Sequence, residues 1–119
     1  AGAAADSTLT QTGSIIGSPA YLAPERAIGD DADERCDIYS LGVMAYYMLS
    51  GKLPYRGAPM DVIRQHRKGN PVPITDINPA VPKEVVELVA SMMTVEPEDR
   101  LQTMVDVRDS IRKLLGKDD

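Results

Sequence analysis

The 119 residues contain one cysteine, one histidine and no phenylalanine. A lone Cys36 closes no disulfide within the chain. Neither it nor His66 has the second Cys or His at ligand spacing that a zinc site needs, so no metal site is expected. A reducing compartment such as the cytoplasm is the plain expectation. Lys and Arg number 13 against 18 Asp and Glu, a formal net charge of −5, and beyond the mixed stretch Arg64–Lys68 they form no basic cluster. That balance excludes a nucleic-acid face, which needs gathered Lys and Arg. The longest apolar run, Ile38–Leu49, is too short to span a bilayer and is interrupted by Ser40. No charged start followed by a long apolar run marks a signal peptide. The first residue is Ala, not Met, which suggests a piece of a longer polypeptide.

With 43% hydrophobic and 26% charged residues, the chain has the balance of a soluble globular domain able to bury a core. Residues 1–16 are dominated by Ala, Gly, Ser, Thr and Gln and bury too little to order themselves. Pro19 and Pro24 bracket an extended stretch, Ala23–Ile28 fits one short helical turn, and Gly29–Asp33 reads as an acidic loop. From Glu34 to Ser50 the pattern changes. Between Ile38 and Leu49 the only non-aromatic polar residue is Ser40, so apolar groups face every direction of a helix, as in a buried central one. Asp33 or a neighbour can cap its start, and Gly51 with Pro54 closes its end.

A second helix is predicted over Pro59–Lys68, stopped by Gly69. Residues 70–82 hold four of the nine prolines and read as an irregular, extended linker. Val85, Leu88, Val89, Met92 and Met93 recur at the spacing of one buried stripe, which predicts a third helix over Pro82–Thr94. After a turn at Glu96–Arg100, a fourth helix is expected over Thr103–Leu115. There Thr103 and Asp106 approximate a capping box, and Met104, Val107, Ile111 and Leu114 or Leu115 supply the inner face. No strand pattern of useful length appears, so the fold class is all-α.

Three segments carry a family resemblance. Gly17-Ser18-Pro19-Ala20-Tyr21-Leu22-Ala23-Pro24-Glu25 is similar to the end of the activation segment of eukaryotic-like (Hanks-type) Ser/Thr protein kinases, which closes on an Ala-Pro-Glu box. Asp37-Ile38-Tyr39-Ser40-Leu41-Gly42 resembles the start of that family's central helix. Pro97-Glu98-Asp99-Arg100 resembles the turn that places an arginine before the last helix. The order and spacing agree over nearly the whole chain, and the style looks most like bacterial members.

The resemblance implies the helical carboxy-terminal lobe of a kinase from the activation segment onward, built around one buried central helix. Residues 1–16 would be a flexible activation-loop segment, 17–116 a partial kinase domain and 117–119 a tail. Glu25 and Arg100 are implied to form a buried ion pair; read without the flanking motifs, each is more simply a solvated turn charge. Asp37 is implied to receive backbone N–H groups from the catalytic loop, although a carboxylate near a helix start also suits the helix dipole. Ser18, where Thr is usual, is implied to bridge the parent's catalytic Asp and a Lys and, with Tyr21 and Leu22, to contact substrate. Ser18 and Tyr21 favour Ser/Thr specificity, and a plain turn serine is the bland alternative. Thr8, Thr10, Thr12 and Ser14 are candidate phosphosites or simple linker hydroxyls.

The resemblance also shows what is missing. A phosphoryl-transfer site needs a Gly-rich loop, a strand Lys, a catalytic Asp with a following Asn, and an Asp-Phe-Gly, and none of these is in the chain. No catalytic residue is therefore expected here. ATP and Mg2+ are expected only for a full-length parent, and the isolated chain should be catalytically silent. The implied partners are protein substrates and the parent's own N-lobe and catalytic loop, in the cytoplasm or in the cytoplasmic domain of a membrane-anchored parent. A non-catalytic, pseudokinase-like binding scaffold is the alternative function. The fragment is expected to expose an apolar patch and to be marginally stable or prone to aggregate.

Overall fold

Local signals set both ends of the longest helix. Asp33 is extended, at φ −139°, and its carboxylate accepts the Arg35 backbone N–H at 2.8 Å, satisfying a donor that the first turn leaves open. At the other end Gly51 turns left-handed at φ 78° and donates its N–H to Tyr47 O at 2.7 Å, a conformation that glycine adopts without a Cβ penalty.

The computed structural model describes residues 19–27, 29 and 33–116. In chain order, a 3-10 turn at Pro19–Tyr21 leads into the one-turn helix Pro24–Ala27 (α1). Then come Glu34–Ser50 (α2), Pro59–Lys68 (α3), Ile74–Ile77 (α4), Lys83–Met92 (α5), a second 3-10 turn at Pro97–Asp99, and Met104–Leu114 (α6). The described residues form helices, turns and loops and contain no strand.

Helix α2 packs on α5, α4, α6 and the first 3-10 turn, and α3 packs on that same turn and on α1. Its buried side carries Cys36, Ile38, Tyr39, Val43 and Tyr46. Ile38, Tyr39 and Val43 are fully covered, each contributing about 1.5–3 kcal/mol relative to exposure. One cluster gathers Tyr39, Val43 and Tyr46 with Val62 of α3, Ile74 of α4 and Val89 of α5. A smaller one joins Ile38 to Met92 and Val107. At Gly42 the two helices approach so closely that a Cβ would lie 2.9 Å from Met92 Cβ and from Met93 Cγ. The opposite side of α2 is open: Met44 and Tyr47 are exposed, and Met48 is 76% exposed.

The structure corrects two expectations. Residues 70–82 are not uniformly irregular, because α4 forms within them. Ile74 is buried in the main cluster, and Asn78 N–H donates to Ile74 O at 2.8 Å, closing the turn. Asn78 also donates its side-chain amide to Leu49 O at 2.9 Å, tying the segment to the end of α2. In α6 the capping box between Thr103 and Asp106 is present. Of the expected inner face, however, only Val107 is buried; Met104, Ile111, Leu114 and Leu115 are exposed. Helix α6 meets α2 and α5 at Val107.

Candidate functional site

The segment Pro19–Ala27 is short and rich in small residues, so its shape must come from what holds it. Three anchors do so. Ser40, the lone non-aromatic polar residue in the apolar run of α2, donates to Tyr21 O at 2.6 Å. His66 of α3 donates from Nε2 to Ala20 O at 3.1 Å. At the far end the Glu25 carboxylate meets Arg100.

That last contact is bidentate. Arg100 Nη1 lies 2.8 Å from Glu25 Oε2 and Nη2 lies 3.0 Å from Oε1, and the two side chains are 0% and 9% exposed. Arg100 also donates from Nε to Thr94 O at 2.8 Å, from Nη1 to Arg35 O at 2.7 Å and from Nη2 to Val95 O at 2.9 Å. All five guanidinium N–H groups are thus used, the condition under which a buried charge is tolerated. The cation stands 4.9 Å from the centroid of the Tyr39 ring. Cys36 Sγ donates to Glu25 Oε2 at 3.2 Å. Burial pushes the Glu25 carboxyl up, but the hydrogen bonds from Arg100, its own backbone and Cys36, together with the Arg100 charge, outweigh this and hold it below its usual range.

Tyr39 and His66 form the second half of the network. Tyr39 Oη and His66 Nδ1 are 2.6 Å apart. Because the Ala20 carbonyl can only accept, the imidazole proton sits on Nε2, and Nδ1 accepts from the Tyr39 hydroxyl. His66 is 1% exposed, and its ring meets Tyr55 edge-on with centroids 4.6 Å apart. Among the described residues every buried side-chain nitrogen and oxygen has a partner. Beside this network a groove of about 230 Å³ opens between the segment and α3, with Pro19, Ala20, Tyr55, Arg56, Pro59 and Val62 on its walls.

A family profile described as the protein kinase domain matches residues 2–110. The chain belongs to the protein kinase domain family. It is 40% identical over 118 residues to the serine/threonine-protein kinase PknB of Mycobacterium leprae, covering 97% of this chain and 19% of that protein. To the PknB of Mycobacterium tuberculosis it is 38% identical over 102 residues, covering 85% and 16%. It is also similar to a probable serine/threonine-protein kinase of Clostridium perfringens, 34% identical over 109 residues, covering 91% and 16%. The chain spans less than a fifth of the length of the curated relatives it matches.

Within the kinase segment, the structure brings Glu25 and Arg100 together across 75 positions of sequence. Tyr21 is partly buried, while Leu22 is 9% exposed and presents little surface to any ligand. Asp37 is exposed in the first turn of α2 and makes no side-chain hydrogen bond among the described residues. Ser18, Thr8, Thr10, Thr12 and Ser14 lie outside the described residues. Sequence reasoning assigned no site role to His66, Cys36 or Tyr39. For His66 no local signal existed, since both its partners come from other elements. For Ser40 the signal was its isolation within an apolar run. No helix among the described residues is long and apolar enough to cross a membrane.

The network carries a pH signature. Burial lowers the His66 pKa from 6.5 to about 4, outweighing the backbone hydrogen bonds to Ala20 and Pro19 that raise it. Between those two values the unfolded chain binds a proton that the folded chain does not, so stability rises with pH across the window. The contribution is complete above the unfolded value and is lost as pH falls toward about 4. As pH falls below the ordinary Glu value of 4.5, Glu25 removes more, because its folded pKa is depressed and the unfolded chain takes up the proton first. The melting temperature of the complete kinase domain is expected to fall from pH 7 to pH 4. In His66→Phe the slope of that fall is expected to be shallower. Superimposable slopes for the two proteins would contradict the neutral, buried imidazole.

Proposed function

We propose that the chain is the substrate-docking part of a protein-serine/threonine kinase whose complete form transfers the γ-phosphate of ATP to protein Ser or Thr hydroxyls. In this reading residues 1–16 belong to the activation loop, 17–116 to a partial kinase domain and 117–119 to a tail. The observation that carries the proposal is the triple anchoring of Pro19–Glu25 beside the groove: Ala20 O, Tyr21 O and the Glu25 carboxylate are each held by a side chain from another helix or turn. A backbone fixed at three points can present a constant edge to an extended peptide. The groove lined by Pro19, Tyr55, Pro59 and Val62 then takes an apolar side chain next to the acceptor hydroxyl. The relatives named serine/threonine-protein kinases support the reaction class.

The work of these residues is positional. Holding an acceptor hydroxyl in line with a phosphoryl donor turns an encounter into a bound geometry, a contribution worth several kcal/mol of barrier. ATP with Mg2+ supplies the phosphoryl group and the neutralising charge in such reactions. Among the described residues no three His, Cys, Asp or Glu side chains gather as a metal site would require, so no step is assigned to this chain through that group. Ser18 and Tyr21 are proposed to flank the acceptor. Leu22 would act from beneath by packing, Asp37 would anchor a catalytic loop through its exposed carboxylate, and Thr8, Thr10, Thr12 and Ser14 would take activating phosphates. The open side of α2 at Met44, Tyr47 and Met48 is proposed to seat the remainder of the kinase domain.

The test compares the 119-residue chain with the complete polypeptide that carries it, using radiolabelled ATP, a Ser/Thr peptide library and calorimetric ATP titration. The complete protein is expected to label Ser and Thr peptides. The chain alone is expected to bind neither ATP nor label, and to bind a hydrophobic dye through its open apolar face. ATP binding by the isolated chain would overturn the docking-only assignment. A complete protein that binds peptides and transfers nothing would make it a scaffold.

A further inference from the structure

We propose that His66 is a positioning residue of the docking edge, setting the distance between the two walls of the groove by holding the Ala20 carbonyl on one side and backing the Tyr55 ring on the other. The inference rests on the peptide-docking reading above.

The groove has two walls that share no covalent neighbour. One is the 3-10 turn with Pro19 and Ala20; the other is formed by Tyr55, Pro59 and Val62 around the start of α3. His66 lies behind both. Its Nε2 reaches Ala20 O at 3.1 Å, its ring meets Tyr55 at 4.6 Å between centroids, and it follows Val62 by one helical turn. Its orientation is fixed from the third side by the Tyr39 hydroxyl at 2.6 Å, and Tyr39 is rooted in α2 under the Arg100 guanidinium. With Nδ1 already occupied by the Tyr39 hydroxyl, the ring can present Nε2–H to Ala20 in one pose only. By contrast, the hydrogen bond that closes the 3-10 turn, from Leu22 N to Pro19 O, is long at 3.3 Å and leaves the turn reliant on its external anchors.

Two substitutions separate positioning from bulk. His66→Phe keeps the ring volume against Tyr55 and Tyr39 but donates nothing to Ala20 and accepts nothing from the Tyr39 hydroxyl. His66→Gln keeps an N–H donor at similar reach. Both are made in the complete kinase and assayed with peptide acceptors. In His66→Phe the KM for peptide is expected to rise about tenfold, the weight of one buried hydrogen bond, with kcat and the KM for ATP changed by less than about twofold. His66→Gln is expected to recover most of the loss. Amide hydrogen exchange at Ala20–Leu22 is expected to quicken in the Phe variant and not in the Gln variant, with exchange in α2 unchanged. An unaltered peptide KM in His66→Phe overturns the proposal, as does a parallel loss in kcat and both KM values that Gln does not repair. If the unsubstituted protein transfers no phosphate, the kinase reading fails. The exchange measurement then still decides on His66, and unchanged exchange at Ala20–Leu22 rejects its role.

Discussion

Replacing Arg100 with methionine is expected to cost the kinase domain about 3–5 kcal/mol, read as a fall in urea midpoint at constant slope. The size follows from what remains behind. Glu25 is left in a site where it is 9% exposed and where burial pushes its carboxyl up, with Cys36 Sγ as a weak donor and the Arg100 fork gone. The carbonyls of Arg35, Thr94 and Val95 lose their donor in the same step. Removing both charges tests the cause. Glu25→Leu combined with Arg100→Met is expected to recover much of the loss, because an apolar pair of similar volume carries no stranded charge. A single Arg100→Met variant within about 1 kcal/mol of the parent would mean that water reaches the pair.

Tyr39→Ala is expected to be as damaging, at about 3–5 kcal/mol, for a different reason. Tyr39 is fully buried at the junction of α2, α3 and the Arg100 turn, so truncation opens a cavity and withdraws the face on which the guanidinium rests. It also leaves His66 Nδ1 without its donor. Tyr39→Phe separates these effects. It keeps the packing and removes the hydroxyl alone, and is expected to cost about 1–3 kcal/mol, the penalty of one buried acceptor left unpaired. Burial pushes the Tyr39 phenol far above its usual range, so its proton is always available to His66. Equal losses for Phe and Ala would show that packing contributes little at this position. Because Tyr39 touches both His66 and Arg100, its variants are expected to be non-additive with substitutions at either.

The helix boundaries were legible where the stop and start signals are local. Asp33 and Gly51 bound α2, Gly69 ends α3, and the Thr103–Asp106 box opens α6, each acting within a few residues of itself. Helix α4 was illegible for the opposite reason. Four residues are too few to show a period, and the turn exists because Ile74 finds a place in a core assembled from distant segments. The apolar stripe of α6 was read correctly as a stripe but wrongly as an inner face. Periodicity says which side chains align, and of these only Val107 is buried. The Glu25–Arg100 pair had no local signature and entered through the family resemblance. The histidine behind the groove had neither, because its meaning lies wholly in Ala20, Tyr39 and Tyr55.

Ser40 and His66 both grip main-chain oxygens, at Tyr21 and Ala20, and touch neither side chain through these bonds. Staging and reading are thereby divided between different atoms. On the docking reading proposed above, the group on Ala20 can be exchanged without touching either bond, whereas Tyr21 also packs against the main core cluster.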